Sequence, residues 1–265
     1  MGDGEMVRIT CIIPTRDGEA TLPSTLDSLR RQTIPINIVV IDDCSIDSTR
    51  RILRTFKVSW VGYPKRGRRD YARIPKLLNL GLKLARESDY YLISGDDCTY
   101  PQDYIEKIIS SMVKDGIDCA SGYHDRPLKS PSGSGRVFTA RLWRILTPFP
   151  VDISWETGCL FKAEMAGLRC AAYLVKYNHE KAYGVSTTRT FGYGLYVLGY
   201  PFIYALGKTI IDIAKRRHTI FNSLAIFVGY IEYRLRGVRR SDIAPYVSSS
   251  QRRKMNGFVR RMSLK

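Results

Sequence analysis

Residues 7–122 encode an α/β fold with a mostly parallel sheet covered by helices on both faces. Three features carry that expectation. Strand-like and helix-like segments alternate; the strand-like ones are unbroken apolar runs; and three of them finish on clusters of polar and acidic residues. A strand buried on both faces needs apolar side chains on both sides of its pleat, as in a sheet held between helical layers. The 265 residues, 44% hydrophobic and 25% charged, suffice for one substantial core.

"VRITCII" reads as the first strand, and a helix follows over 20–32. "INIVVI" is the second strand, with a helix near 46–55 and a short strand "KVSWV" after it. The basic segment "PKRGRRDYARIPKLLNLGLKLAR" leads into a third helix, then "YYLIS" forms a strand, a helix covers Tyr104–Val113 and "IDCASG" is a further strand. Residues 124–154 hold Pro, Gly and Ser clusters, so a long loop with at most one short helix, over Ala140–Leu146, is expected; long irregular segments in compact domains are usually functional or mobile. "WETGCLFKAEMAGL" spaces its apolar residues as a helix does and ends at Gly167, a natural C-cap.

Beyond Tyr183 the character changes. "FGYGLYVLGYPFIYALG" (191–207) and "TIFNSLAIFVGYI" (219–231) carry no charge, and "KRRH" lies between them. The first is at the short limit for a spanning helix and the second is below it. Two interfacial or re-entrant amphipathic helices over 187–236 are favoured over two clean crossings, although helices extended through Lys208 and Asp212 could still cross; completion of a soluble core is the other alternative. From Arg234 onward Asp242 is the sole acidic residue among many Arg and Lys. The division is therefore a domain over 1–186, the helical pair over 187–236 and a basic tail over 237–265. Such a tail suits an anionic surface at the cytoplasmic side of the cell membrane; RNA competes for it, but the tail lacks the interleaved aromatics of a stacking platform.

A formal net charge of +17 implies an anionic partner, and by itself leaves nucleic acid, nucleotide phosphates and an acidic membrane open. Six cysteines without a C-x-x-C pair signal neither a zinc site nor a disulfide framework, which points to a reducing cytosol. "MGDGEMVRIT" lacks the apolar segment of a secretory signal, and Met6 stands where a myristoylation motif needs Ser or Thr.

In an open parallel sheet, ligands bind outside the carboxyl ends of the strands. Here "PTRDGE" (14–19), "DDCSIDST" (42–49) and "GDDC" (95–98) occupy three such ends, and parallel strands would place them along one rim. Carboxylates gathered on a rim repel one another and resist desolvation unless a cation neutralises them. Mg2+ or Mn2+ bridging a diphosphate is the natural occupant, stabilising charge on a departing phosphate oxygen. Locally, Asp96 and Asp97 could equally start a turn and cap the next helix.

"CIIPTRDGEATLPSTLDSLRRQ", "IVVIDDCSIDSTRRIL", "YLISGDDCTYPQDYIEKII" and "WETGCLFKAEMAGLRCAAYLVKYNHE", in this order and spacing, resemble a family-2 glycosyltransferase of the GT-A fold, a Rossmann-like α/β domain, over about residues 7–183. Among that family the chain is similar to membrane-associated transferases of dolichyl- and polyprenyl-linked sugars. The third segment departs from the usual Asp-x-Asp by carrying Gly95 where the first Asp commonly stands. The resemblance implies that Pro14, Thr15, Arg16 and Glu19 line the nucleotide pocket, that Asp43 contacts the base with Asp42 also in the nucleotide-sugar site, and that Arg73 is near the nucleotide. It assigns Asp96 and Asp97 to the sugar-diphosphate and metal site, with His179 completing the metal shell. Glu156, where the family places an acidic pair before a helix, is the implied catalytic base, and Asp152 is its rival. The segment 130–143 matches the acceptor-facing loop, and Arg136, Arg141 and Arg144 suit an acceptor bearing phosphate.

Chemistry asks for the same parts: an acceptor hydroxyl must lose its proton to a base while a metal and basic neighbours stabilise the leaving group. Plainer roles stand beside these. Glu156 could be a helix N-terminal acid favouring the dipole, His179 could bind nothing, and Arg66, Arg68, Arg69 and Arg73 could form a solvated loop, although a basic loop beside a diphosphate has an evident use. The expected activity is an inverting, Mn2+- or Mg2+-dependent transfer of hexose from GDP-mannose or a UDP-hexose to a polyprenyl- or dolichyl-linked acceptor, with no nucleic acid involved. The alternatives are a non-catalytic nucleotide-sugar or nucleic-acid binding protein on the same fold, and a transferase with a soluble acceptor.

Overall fold

The computed structural model describes residues 7–67, 71–127, 129–180, 185–216 and 219–262. Two compact units are present. The first comprises residues 1–69, 74–150 and 162–181, the second residues 70–73, 151–161 and 182–265.

The first unit holds β1 (Ile9–Thr15), α1 (Leu22–Arg30), β2 (Ile36–Asp42), α2 (Thr49–Thr55), β3 (Ser59–Gly62), most of α3 (Arg73–Gly81), β4 (Tyr90–Ile93), β5 (Cys98–Thr99), α4 (Tyr104–Asp115), β6 (Cys119–Tyr123), β7 (Arg136–Thr139), α5 (Ala140–Leu146), β8 (Cys170–Lys176) and β9 (Asn178–His179). Seven strands form one sheet in the order β3-β2-β1-β4-β7-β6-β8, while β5 and β9 make a separate pair. All neighbours in the large sheet are parallel except β7, which runs antiparallel to β4 and to β6.

The unbroken apolar character of the strands has the expected cause. Ile9, Cys11 and Ile13 of β1 pack in one layer with Leu22, Leu26 and Leu29 of α1 and with Ile105, Ile108 and Met112 of α4. On the opposite face, Ile12 and Ile41 press against Gly81 of α3, and Tyr91 stacks on Trp143 of α5 with centroids 4.5 Å apart. Each such buried aliphatic side chain contributes about 1.5–3 kcal/mol, so the alternating positions of β1 hold both helical layers to the sheet.

Two expectations in this unit need correction. The segment 124–154 is not loop apart from one helix: it contains β7, inserted between β4 and β6, as well as α5 at the residues expected for it. Four residues are too few to display a strand period, and pairing with Tyr90–Ile93 across more than forty residues decides the matter. Downstream of Gly167, "CAAYLVK" is β8, parallel to β6. The helix expected near 46–55 begins at Thr49, because the Asp47 carboxylate accepts hydrogen bonds from the Thr49 amide and hydroxyl and closes a turn ahead of it.

The second unit contains the first turns of α6 (Trp155–Met165), α7 (Val185–Val197), α8 (Phe202–Ala214), α9 (Ile220–Leu235) and α10 (Ala244–Met262). The expected helical pair is thus three helices. The uncharged run 191–207 breaks at Gly199, whose φ of +81° ends one helix, and Pro201 opens the next. α7 and α9 approach at backbone contact: a Cβ on Gly192 would stand 1.9 Å from Ile226 O, and one on Gly229 2.2 Å from Arg189 O. Phe161, Leu198, Tyr200, Ile243 and Val247 form an apolar cluster, so the tail contributes to packing and is not a free basic arm. No described helix is long and apolar enough to cross a membrane.

Candidate active site

Register places the polar strand ends on one rim of the first unit. Thr15 pairs with Asp42 at the ends of β1 and β2, Ile12 pairs with Ile93 at the end of β4, and the Ser94 N–H continues the ladder to Ile12 O. Thr15 Oγ1 then donates to Asp96 Oδ2 at 2.7 Å, tying the β4 end to the β1 end. Both residues are buried.

The rim carboxylates have divided roles. Asp42 is fully buried and accepts from the Ser45 amide at 3.0 Å and from Arg50 Nε at 2.6 Å, so it shapes the β2 turn from within. Asp43 Oδ2 lies 3.5 Å from Arg16 Nη1, which donates to Gly67 O at 2.7 Å. Asp17 receives Arg66 in a two-pronged pair, at 3.1 and 2.6 Å. The exposed Glu19 accepts from the Ser48 amide at 3.0 Å, beside the start of α2. Pro14 is half-buried on β1, opposite Ile41. Arg16 and Arg66 therefore hold guanidinium groups at the mouth of the rim, the setting that favours a diphosphate. Arg68 and Arg69 lie outside the described residues, and Arg73, half-buried at the start of α3, belongs to the second unit.

His179 reaches this rim through the short β5–β9 ladder, in which Cys98 pairs with His179 and Thr99 with Asn178; the Glu180 amide donates to Asp97 O at 3.0 Å. The pairing leaves His179 Nε2 3.7 Å from Asp97 Oδ1. With Cys98 Sγ, these atoms lie within 4.8 Å of one another, which makes this trio a candidate metal centre among the described residues. Two donors each about 2.1 Å from one ion stand up to about 4 Å apart, so the Asp97–His179 gap fits. Before any ion binds, burial, then the neighbouring Asp97 charge, pushes the Cys98 thiol up to about 12, and a thiol is in any case a poor partner for a hard dication. The oxygen and imidazole donors that remain suit Mg2+ or Mn2+ over a soft metal.

Asp96, the other expected ligand, is not in this trio, and its carboxylate accepts from Thr15. Gly95 has a steric reason. A Cβ there would stand 2.6 Å from Asp97 Oδ1 and 3.2 Å from Ser134 Oγ, so the carboxylate occupies the space a side chain would need.

The sequence reading missed His124, just past β6. Its ring stacks on His179 with centroids 5.0 Å apart, and burial, then the neighbouring His179, lowers its pKa. The one sequence signal was a second histidine directly after an apolar strand.

The three acceptor arginines are not brought together. Arg136 is buried on β7, donating to Ser132 O at 2.7 Å and Pro131 O at 3.1 Å, so it braces the preceding loop. Tyr177 braces the same loop by donating to Ser134 O at 2.9 Å. Arg141 and Arg144 follow the far end of β7, where Thr139 pairs with Tyr90 at the start of β4. Arg141 pairs there with Asp118 at 2.6 Å and Arg144 with Glu87 at 3.6 Å, on the sheet edge opposite the acidic rim. Their assignment to acceptor binding is corrected because β7 is antiparallel and carries the chain away from the rim.

Glu156 and Asp152 belong to the second unit. Asp152 Oδ1 accepts from the Ser154 amide at 2.8 Å and from Ser154 Oγ at 2.9 Å, a local turn that starts α6. Glu156, half-buried, lines a cavity of about 340 Å³ whose walls are mainly aromatic and aliphatic, among them Tyr71, Phe191, Leu195, Leu198 and Tyr204. Of the two carboxylates, Glu156 is the one placed where a bound molecule could meet it.

The sequence model described as glycosyl transferase family 2 matches residues 10–163. No curated protein matches significantly. Among solved structures, mannosyltransferase PcManGT from Pyrobaculum calidifontis, in complex with GDP-Man and Mn2+, aligns with TM-score 0.62 at 17% identity over 95% of this chain and 81% of its own. Glucosyl-3-phosphoglycerate synthase from Mycobacterium tuberculosis, with Mn2+, UDP and glucosyl-3-phosphoglycerate, aligns with TM-score 0.54 at 15% identity over 69% of this chain and 76% of its own. TarS of S. aureus, in complex with UDP, aligns with TM-score 0.52 at 17% identity over 70% of this chain, which spans 63% of that protein's length. At these identities the likeness is one of fold.

Proposed function

Because the chain belongs to glycosyl transferase family 2, we propose that it transfers a hexose, with inversion, from GDP-mannose or a UDP-hexose to a lipid-linked acceptor at the cytoplasmic face of a membrane. The observation that carries the reading is the Asp97–His179 pair on the same rim as the β1 and β2 ends. That rim joins an oxygen and nitrogen donor set to arginines able to face a diphosphate.

Mn2+ or Mg2+ held by Asp97 and His179 would neutralise charge on the leaving diphosphate. The protein's own groups do the rest. Arg16 and Arg66 favour the phosphates, while Thr15 holds Asp96 in place by a buried hydrogen bond. The remaining role, which we assign to Glu156 from the sequence resemblance and its place in the second unit's cavity, is to take the proton of the acceptor hydroxyl as that oxygen bonds to the anomeric carbon. The bond from that carbon to the diphosphate oxygen breaks, and a nucleoside diphosphate departs. A single displacement of this kind inverts the anomeric centre. The apolar lining around Glu156 supports an amphiphilic acceptor over a free sugar, since an apolar wall gains little from contact with hydroxyl groups.

The test is a screen of nucleotide sugars for binding with Mn2+ and with chelator, followed by transfer of the bound sugar into lipid extracts. Binding to one nucleotide class that chelator weakens is expected. Glu156→Gln should lower transfer by about 10²–10⁴-fold while leaving donor binding intact. Donor binding indifferent to chelator, or wild-type turnover by Glu156→Gln, would refute the reading.

A further inference from the structure

Helices α8 and α9 each bury one side and expose an apolar opposite side. On α8 the buried residues are Ala205, Thr209 and Asp212, while Ile203, Leu206 and Ile210 form an exposed stripe flanked by Ile211. On α9 the buried residues are Ser223, Ile226, Gly229 and Tyr230, and the exposed stripe is Phe221, Leu224, Val228 and Leu235. At 100° per residue, both stripes lie opposite the buried positions. Phe221 is 80% exposed and Leu235 82%. A helix on the surface of a globular protein ordinarily turns its apolar face inward; these two neighbours, joined by the Phe202–Phe227 ring contact, instead leave an apolar stripe on the side away from their buried residues. An exposed apolar surface of this extent marks an interaction site.

Charge identifies the occupant. The acidic residues of the two helices are engaged: Asp212 by Lys208 at 2.5 Å, and Glu232 by Arg189 and Arg236 at 2.5 and 2.6 Å. Lys215 and Arg216 after α8, and Arg234, Arg239 and Arg240 at and beyond the end of α9, are exposed. Arg234 lies over the Phe202 ring and Arg240 over Tyr196, which keeps their stems along apolar surface. A second copy of this chain would bring the same basic rim and another +17 to the contact, which like charges oppose. Anionic headgroups above an acyl layer match both parts of the surface. With 13 and 16 residues, the helices reach only about 20 and 24 Å, short of the roughly 30 Å hydrocarbon core.

We propose that the outer faces of α8 and α9 dock in the plane of an anionic lipid bilayer, inserting Ile203, Ile210, Phe221 and Leu224 beneath the headgroups. This gives the membrane reading above its contact surface, and it does not depend on which sugar is moved. The test is flotation of the full chain with phosphatidylcholine vesicles and with vesicles that also contain phosphatidylglycerol, at low and high salt. Binding to the anionic vesicles, weakened by salt, is expected. Phe221→Glu with Leu224→Glu should weaken that binding by about 100-fold, with the melting temperature and nucleotide-sugar binding unchanged because both side chains are exposed. Absence of wild-type flotation with either vesicle would overturn the proposal. So would a stable dimer that the same substitutions dissociate in a chain that ignores vesicles. A chain that floats but binds no nucleotide sugar would support this docking and refute the transferase reading.

Discussion

Replacing Gly95 by alanine puts a methyl carbon 2.6 Å from Asp97 Oδ1, about 0.8 Å short of ordinary contact at 3.4 Å. Gly95 is not among the residues with positive φ, so the backbone accepts alanine and the effect is purely steric. The methyl cannot move aside, because it also meets Ser134 Oγ at 3.2 Å and Cys98 Sγ at 3.3 Å, so the Asp97 carboxylate has to give way. Overpacking of this size costs about 1–3 kcal/mol of stability. The larger consequence falls on the metal: an Asp97 moved by several tenths of an ångström no longer stands 3.7 Å from His179, and Mn2+ affinity should fall about 10–100-fold. Titration of the full chain with Mn2+, alongside urea denaturation, measures the two effects separately. Gly207→Ala is the control, since a Cβ there meets nothing within 4 Å and α8 should gain about 0.5–1 kcal/mol. Wild-type Mn2+ affinity in Gly95→Ala would refute the assignment of Asp97 as a ligand.

Three further outcomes are expected. His179→Ala should weaken Mn2+ binding about 10–100-fold, whereas Cys98→Ala should leave it nearly unchanged because Mn2+ favours the carboxylate and imidazole donors over sulfur; calorimetric titration of both variants distinguishes them. Thr15→Val removes the hydroxyl that donates to Asp96 while keeping its shape, and urea unfolding should show a loss of about 1–2 kcal/mol. Arg141→Ala and Arg144→Ala should transfer sugar at the wild-type rate, since both lie at the sheet edge away from the rim; a fall in transfer with unchanged stability would restore them to acceptor binding.

Much of the rim could be read before the fold was seen. Parallel strands all end on one edge, so the positions of Thr15, Asp42 and Asp96 followed once their runs were recognised as parallel. Which carboxylate faces a ligand could not be read in the same way. Asp42 and Asp43 are adjacent and chemically alike, yet Asp42 is turned inward onto Arg50 and Asp43 stands by Arg16. Asp152 and Glu156 were rivals by position, and they are separated by the turn that Asp152 makes with Ser154 and by the cavity that Glu156 lines.

Local pattern alone determined the alternation of strands and helices, the helix over Ala140–Leu146 and the polar strand ends, because apolar runs and turn residues act over a few neighbouring positions. Tertiary pairing decided the rest. The antiparallel insertion of β7 sent Arg141 and Arg144 to the wrong edge, and a two-residue ladder set His179 beside Asp97 across some eighty residues. Strands of two to four residues carry no period, so their partners and direction are chosen by contacts distant in the chain. The outer faces of α8 and α9 belong to the same class: uncharged runs announce burial, and only packing shows which side of each helix the protein leaves uncovered.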